Sequence, residues 1–267
     1  KELAENCHPF AVEIKDFTKP VDILAVDVPA GYTTLFVFPY SVGFQFSGFK
    51  NLAALNEAIT KRLKNLGVTT LLFMRHLELI EYEIKIPGKE ASGEYLLDAE
   101  PVNDHCTRVS AIESEDDKTD ESLSFIKFSM PIDSMVSTRT IDVAFTVATD
   151  KEGKTTFQKA KNPYISVYFP TETESKLDFI VQGPFRTTPN RSSVPADEEE
   201  NEALAEQTAK LLRQSVLELR DMGLLDLSLI RILPLDEDDF DVYPLFYPLY
   251  EEMRDLFSSE RVLPVKD

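Results

Sequence analysis

Two arginines five residues apart mark the part of this chain whose residue types are best suited to chemistry. Asp178–Val194 reads Asp-Phe-Ile-Val-Gln-Gly-Pro-Phe-Arg-Thr-Thr-Pro-Asn-Arg-Ser-Ser-Val. It sets Arg186 and Arg191 among hydroxyls, the Asn190 amide and turn-forming prolines. A guanidinium is a rigid planar fork of donors that matches phosphate or carboxylate. The loop is therefore a candidate anion site in a chain of formal net charge -19. The same charge excess offers a second reading, in which both arginines pair with the chain's own acids, as surface arginines usually do.

The loop needs a scaffold on either side. Asp178–Gln182 alternates like a half-buried strand with Phe179 and Val181 on one face, and Gly183-Pro184 breaks it. After the loop, Ala196–Met222 carries Leu204, Leu211, Leu212, Val216 and Leu219 at helical spacing. Glu198–Glu200 put acid at the positive end of that helix dipole, and Gly223 closes it. The sheet holding Asp178–Gln182 is expected to pack on this helix and bury those five side chains.

The rest of the chain reads as strands and helices interspersed. Short strands are expected at Asp22–Val26 and Tyr32–Phe38, and a helix from about Leu52 to Leu66. Leu52, Leu55, Ile59, Leu63 and Leu66 fall at helical spacing there, with Lys61, Arg62 and Lys64 in the last turns and Gly67 as a cap. Thr69–Met74 is apolar and of undefined state. Ile80, Tyr82, Ile84 and Ile86 alternate against Glu81, Glu83 and Lys85, the clearest one-sided strand, ended by Pro87-Gly88. Glu94–Leu97, Ser122–Met130, Thr140–Ala148, Pro163–Phe169 and Leu227–Leu233 also read as strands. The acidic Glu113–Glu121 is a solvated hairpin tip or loop, Asp150–Lys154 a turn around Gly153, and Leu249–Phe257 an amphipathic segment. The pattern is that of an α+β fold, one or two small mixed sheets with a long packed helix.

Composition narrows the function. At 267 residues the chain can bury a sizeable core in one or two domains. No apolar run reaches membrane-spanning length and no signal-peptide pattern follows Lys1, so a soluble piece of a longer protein is expected, with no membrane partner. With 47 acids against 28 bases, nucleic acid is an unfavourable partner. Two cysteines, Cys7 and Cys106, make no disulfide framework, which points to a reducing, cytoplasmic compartment. Each adjoins a histidine, His8 or His105, but neighbours on an extended chain face opposite ways, so no metal site is expected. The acids of Asp236–Asp239 and Asp241 lack the spacing of a calcium loop and read as an exposed turn. The nine glycines never form Gly-x-Gly, and no Gly-x-x-x-x-Gly-Lys is present, so a glycine-rich nucleotide cradle is missing. Ser/His/Asp catalysis has only His8, His76 and His105 to draw on and no Gly-x-Ser-x-Gly elbow.

Several segments together resemble a family. Tyr32-Thr33-Thr34-Leu35-Phe36-Val37-Phe38, a helix, Leu71-Leu72-Phe73-Met74-Arg75 and the strand through Ile80–Ile86 resemble the end of a GHKL ATPase domain. That superfamily includes gyrase, heat-shock protein 90, histidine kinases and MutL. Asp178–Phe185 followed by Thr187-Thr188-Pro189-Asn190-Arg191 is similar to its sacsin-like, heat-shock-protein-90-like prokaryotic branch. Phe169-Pro170-Thr171 and Leu233-Pro234-Leu235 are similar to it as well. The Glu/Asn magnesium helix and the Asp-x-Gly-x-Gly adenine motif are missing, and Tyr32 stands where the family usually has glycine.

The resemblance implies an ATPase-domain edge over residues 1–87 and a middle, transducer domain over residues 88–267. It implies that ATP and Mg2+ bind in the parent protein, not in this part alone. The N-terminal ATPase domain of the same chain would be the partner, with a homodimer and a client protein as further partners. A middle-domain basic residue in the family reaches the ATP γ-phosphate on closure, and Arg191 matches it by motif position. Arg186 is a second candidate, Arg75 a third that can equally tie the domain edge together. Asn190 and Gln182 would orient the arginine or the attacking water, and Thr33 corresponds to the threonine near the adenine-binding aspartate. The expected role is to couple ATP binding and hydrolysis elsewhere to conformational change. The alternative is a scaffold that binds an acidic partner through the same loop.

Overall fold

Strand alternation builds residues 79–182 of the molecule. The computed structural model describes residues 51–260 and 262, apart from 75, 87, 116, 117, 133–138 and 162. The expected strands at Asp22–Val26 and Tyr32–Phe38, along with Thr33, Cys7, His8 and Arg75, lie outside the described residues. The chain divides into two compact units, Lys1–Asn65 and Leu66–Asp267. Within the first, α1 (Leu52–Lys64) starts at Asn51, whose side chain accepts a hydrogen bond from the Ala54 N–H. Lys61, Arg62 and Lys64 occupy its last turn, where cations favour the dipole. Of its expected apolar stripe Leu55 is buried, whereas Ile59 and Leu66 are exposed.

The second unit is α+β, built on one mixed sheet of nine strands, where one or two small sheets were expected. Strands β1 (Leu79–Ile86), β2 (Lys89–Pro101), β3 (Cys106–Glu115), β4 (Lys118–Ile132) and β5 (Arg139–Thr149) form an antiparallel meander. In β1 Tyr82 and Ile84 are buried and the adjacent acids Glu81 and Glu83 exposed, as the alternation predicts. Ile86, the last residue before the expected boundary, pairs with Lys89 in the β1–β2 hairpin, which runs from Leu79↔Leu96 to Ile86↔Lys89. Of Glu113–Glu121, Glu113–Glu115 and Lys118–Glu121 pair as the adjoining ends of β3 and β4. β6 (Thr155–Gln158) pairs with the end of β5 after a turn in which Asp150 Oδ1 accepts from the Glu152 and Lys154 amides and Gly153 takes φ 80. β7 (Tyr164–Val167) and β8 (Phe169–Glu174) form a tight hairpin through Tyr168 at φ 66.

The strand predicted over Asp178–Gln182 is β9 (Ile180–Gln182), and it is not half-buried. It lies inside the sheet, antiparallel to β5 (Asp142↔Gln182) and parallel to β7 (Ser166↔Gln182), and its three residues are all buried. The strand order is β1-β2-β3-β4-β5-β9-β7-β8.

One face of the sheet carries α2 (Glu199–Asp221), which buries Leu204, Leu211, Leu212, Val216 and Leu219 as expected. They join Phe128, Val143, Phe145, Phe179 and Val181 in one core. Phe145 stands at its middle, with ring centroids 5.2 Å from Phe179, 6.0 Å from Phe157 and 6.2 Å from Phe128. Burying five such side chains contributes on the order of 10 kcal/mol before conformational entropy is counted. Gly223, at φ 73, ends α2: its N–H reaches the Arg220 carbonyl and the Leu224 N–H the Leu219 carbonyl, a left-handed cap. The apolar Thr69–Met74 stretch includes part of a 3₁₀ turn, Val68–Leu71, that packs on β2, β3 and β4.

The strand expected at Leu227–Leu233 is a correction. Leu227–Ile230 is a single helical turn, α3. Asp226 makes it so: its carboxylate accepts from the Ser228 N–H at 2.8 Å and the Leu229 N–H at 3.2 Å, an N-cap that an apolar count overlooks. A 3₁₀ turn (Pro244–Phe246) leads into α4 (Tyr247–Ser259), which contains the amphipathic Leu249–Phe257 and buries Leu249, Met253 and Leu256 against α2. Among the described residues no helix is long and apolar enough to cross a membrane.

Candidate functional site

The loop from Gly183 to Glu198 connects a buried central strand to the longest helix. Its first step is tight. The Gly183 N–H donates to the Ser166 carbonyl, continuing the β7 contact, and a Cβ on Gly183 would come within 2.8 Å of the Phe185 ring. Phe185 is buried and meets Phe246 edge-on at 5.9 Å, which ties the start of the loop to the segment leading into α4.

Arg186 follows the bland reading. Its guanidinium donates to both carboxylate oxygens of Glu200, from Nε at 2.6 Å and from an Nη at 2.8 Å. That hydrogen bond raises the guanidinium pKa and lowers the Glu200 carboxyl. Both side chains are more than half exposed, so the pair is a solvated clamp. A carboxylate already occupies the fork that an anion would need.

Arg191 stands differently. Thr188-Pro189-Asn190-Arg191 forms a turn closed by the Arg191 N–H on the Thr188 carbonyl at 2.7 Å, with proline in its favoured second position. Arg191 itself takes φ 59, a left-handed conformation uncommon for a long side chain. Asn190 is the hub of the turn: its Oδ1 accepts from the Thr188 hydroxyl at 2.7 Å, the Ser192 hydroxyl at 2.9 Å and the Ser192 N–H at 3.3 Å. Thr188 and Ser193 close the base, the Thr188 N–H donating to the Ser193 carbonyl and the Ser193 N–H to the Thr188 hydroxyl. The outgoing limb is bonded to β8, through the Glu172 N–H on the Ser192 carbonyl and the Val194 N–H on the Thr173 hydroxyl. The guanidinium of Arg191 donates to the Val167 carbonyl at 3.1 Å. Among the described residues no carboxylate pairs with it, and its side chain is on the surface.

Gln182 is buried at 2% exposure and sits in register between Asp142 of β5 and Ser166 of β7. Its Oε1 finds no hydrogen-bond partner among the described residues. Burying an amide oxygen without a donor costs about 1–3 kcal/mol, which makes this a notable place for one. Arg191 and Gln182 are linked through β7: one bonds Val167, the other lies opposite Ser166. The loop therefore groups Arg191 with Asn190 and withdraws Arg186 to Glu200. Thr33 and Arg75 lie outside the described residues.

One residue of the site carries no role in the sequence reading. Asn201, in the first turn of α2, is fully buried. Its Oδ1 accepts from the Arg186 N–H at 2.7 Å, and its Nδ2 donates to the Arg186 carbonyl at 3.1 Å and the Pro195 carbonyl at 2.8 Å. The available signal is an asparagine on the stripe that continues through Leu204, Ala205 and Thr208, where packing alone asks for an apolar side chain.

Other polar groups have structural roles. His105 is exposed while the adjacent Cys106 is buried, its thiol pushed up to about 11 by that burial. Among the described residues no cluster of His, Cys, Asp or Glu could hold a metal ion. Glu237–Phe240 forms a 3₁₀ turn capped by Asp236, with its acids exposed and Phe240 buried. Against known protein families, curated proteins and solved structures, the chain has no match.

Proposed function

We propose that residues 66–267 work as the middle, transducer-like domain of a GHKL-type ATPase of the sacsin and heat-shock-protein-90-like kind. Arg191 is its γ-phosphate-sensing residue. The observation that carries this reading is the contrast within one loop: Arg186 is committed to Glu200, whereas Arg191 is held on a hydrogen-bonded turn and, among the described residues, its guanidinium meets a backbone carbonyl and no carboxylate. A carbonyl is an acceptor that a phosphate oxygen can replace, with gain of charge-assisted hydrogen bonding. Phosphoryl transfer needs positive charge beside the γ-phosphate as negative charge spreads in the transition state. An arginine supplied on domain closure provides it late, so that turnover waits on closure. In this reading ATP and Mg2+ bind in the ATPase domain of the same protein, Thr33 lies at the edge of that site, and Asn190 and Gln182 support Arg191. The motif resemblance of Asp178–Arg191 adds to the geometry.

The test is steady-state ATPase on the full-length protein. Arg191→Ala should lower turnover by about 10²–10⁴-fold. The affinity for ATP should change little, because an interaction made only in the transition state appears in the rate constant. Arg191→Lys should recover part of the loss, since the ammonium keeps charge without the fork. Unchanged turnover in Arg191→Ala would overturn the reading and favour the loop as a docking point for an acidic partner.

A further inference from the structure

We infer that Asn201 is the positioning residue of the arginine loop, acting on turnover through Arg191 and not through the fold. The inference rests on the reading of Arg191 given above. Asn201 is fully buried, and its one amide touches both limbs of the loop: the N–H and carbonyl of Arg186 on the incoming side, and the carbonyl of Pro195 on the outgoing side. Only a primary amide supplies one acceptor and two donors from a single short side chain. Leucine in its place would fill the stripe between α2 and the core but orphan three backbone groups. Aspartate would set a carboxylate against two carbonyl oxygens.

The tip of the loop is closed by its own bonds, Arg191 N–H to Thr188 carbonyl and Thr188 N–H to Ser193 carbonyl. Those bonds fix the shape of the tip, not its place on the molecule. Its place is set by the two bonds of the outgoing limb to β8, at Ser192 and Val194, and at the base, where Asn201 fastens both limbs to the first turn of α2. The Arg186–Glu200 pair joins the same two elements from the solvent side, where both partners are largely exposed and salt-screened. Of the contacts that place the tip, the buried amide is the one that holds both limbs at once, and a misplacement of about 1 Å can cost about 10²-fold in rate.

Two measurements test this. In the full-length protein, Asn201→Ala should lower kcat for ATP roughly 10- to 100-fold with KM within about threefold. In the Arg191→Ala background the same substitution should cause no further loss, because residues acting through one group are non-additive. Losses that multiply would overturn the inference. The second measurement is amide hydrogen exchange: in Asn201→Ala, the Val194 amide, which docks the outgoing limb on Thr173, should exchange at least about tenfold faster while Leu211–Leu219 of α2 stay protected. Unchanged loop exchange would also overturn it. Asn201→Asp keeps the shape and the acceptor for the Arg186 N–H but loses both donors, and carries the same tests should Asn201→Ala not fold. Faster loop exchange together with normal turnover in Arg191→Ala would instead reject the ATPase reading and leave the clamp standing.

Discussion

The arginine loop and the α2–α4 helix pair lie side by side on the chain's second unit and are held by opposite means. The helices are held by apolar packing: Leu212, Leu219, Leu249, Met253 and Leu256 are fully buried in the common core. Arg213 adds a polar strap at their rim, donating to Glu252 and Asp255 at 2.8 Å each. The loop contributes few core side chains beyond Phe185 and Val194, and is fixed by hydrogen bonds from Asn190, Thr188, Thr173 and Asn201. Packing is non-directional and sums over area, so it stabilises the fold without aiming any one group. Hydrogen bonds add little net stability each, but they are directional and set a side chain's position. The proposed role of the loop, delivery of a guanidinium, calls for the second kind.

This contrast can be broken from either side. The largest effect on stability should come from the helix pair: Leu212→Ala removes a fully buried side chain from α2 and should cost about 2–5 kcal/mol in urea unfolding. The loop should keep its exchange protection up to the unfolding transition. A loss below 1 kcal/mol would mean that α2 is not packed as described.

Asp226 tests whether polar anchoring also stabilises. Burial pushes its carboxyl up, but Lys154, the Ser228 hydroxyl and the Ser228 and Leu229 amides outweigh this and hold it at about 2, below its ordinary 3.8. The Lys154 Nζ lies 2.8 Å away. A depressed carboxyl contributes stability that is present above the unfolded value and lost as pH falls from about 4 to about 2. The amount is about 2 kcal/mol by linkage. Urea unfolding across pH 2–5 should show this slope, and Asp226→Asn should flatten it. A slope unchanged in Asp226→Asn would assign the acid limb to other carboxylates.

The smallest effect sharpens the loop itself. Arg186→Gln removes the exposed Glu200 pair but keeps the backbone groups that Asn201 binds. Turnover of the full-length protein should change by less than about threefold, and the thermal midpoint should stay where it is. A loss as large as that expected of Arg191→Ala would move the proposed phosphate-sensing role to Arg186.

Periods were legible in the sequence because they are local. The alternation of Ile80–Ile86, the stripe Leu204–Leu219 and the glycine stops at Gly153 and Gly223 follow from chain geometry at those residues alone. The Thr-Pro-Asn-Arg turn belongs to the same class, since proline sets its second position and Asn190 bonds only its near neighbours. Where a pattern fits two structures, the neighbours decide. Leu227–Leu233 reads equally as strand or helix until the Asp226 carboxylate turns inward to cap it while paired with Lys154. Asp178–Gln182 shows one apolar face, yet Ile180, Val181 and Gln182 are all buried, because β9 runs inside the sheet between β5 and β7 and not along its edge. Which arginine is committed to an acid depends on where α2 sets Glu200, and the role of Asn201 exists only once two limbs of a loop meet one helix turn. Sequence alone determined the elements and the types of groups in the loop, because propensity and period act within a few residues. Tertiary structure decided strand order, two-sided burial and the partners of each polar group, because those depend on residues that are distant along the chain and adjacent only in the folded molecule.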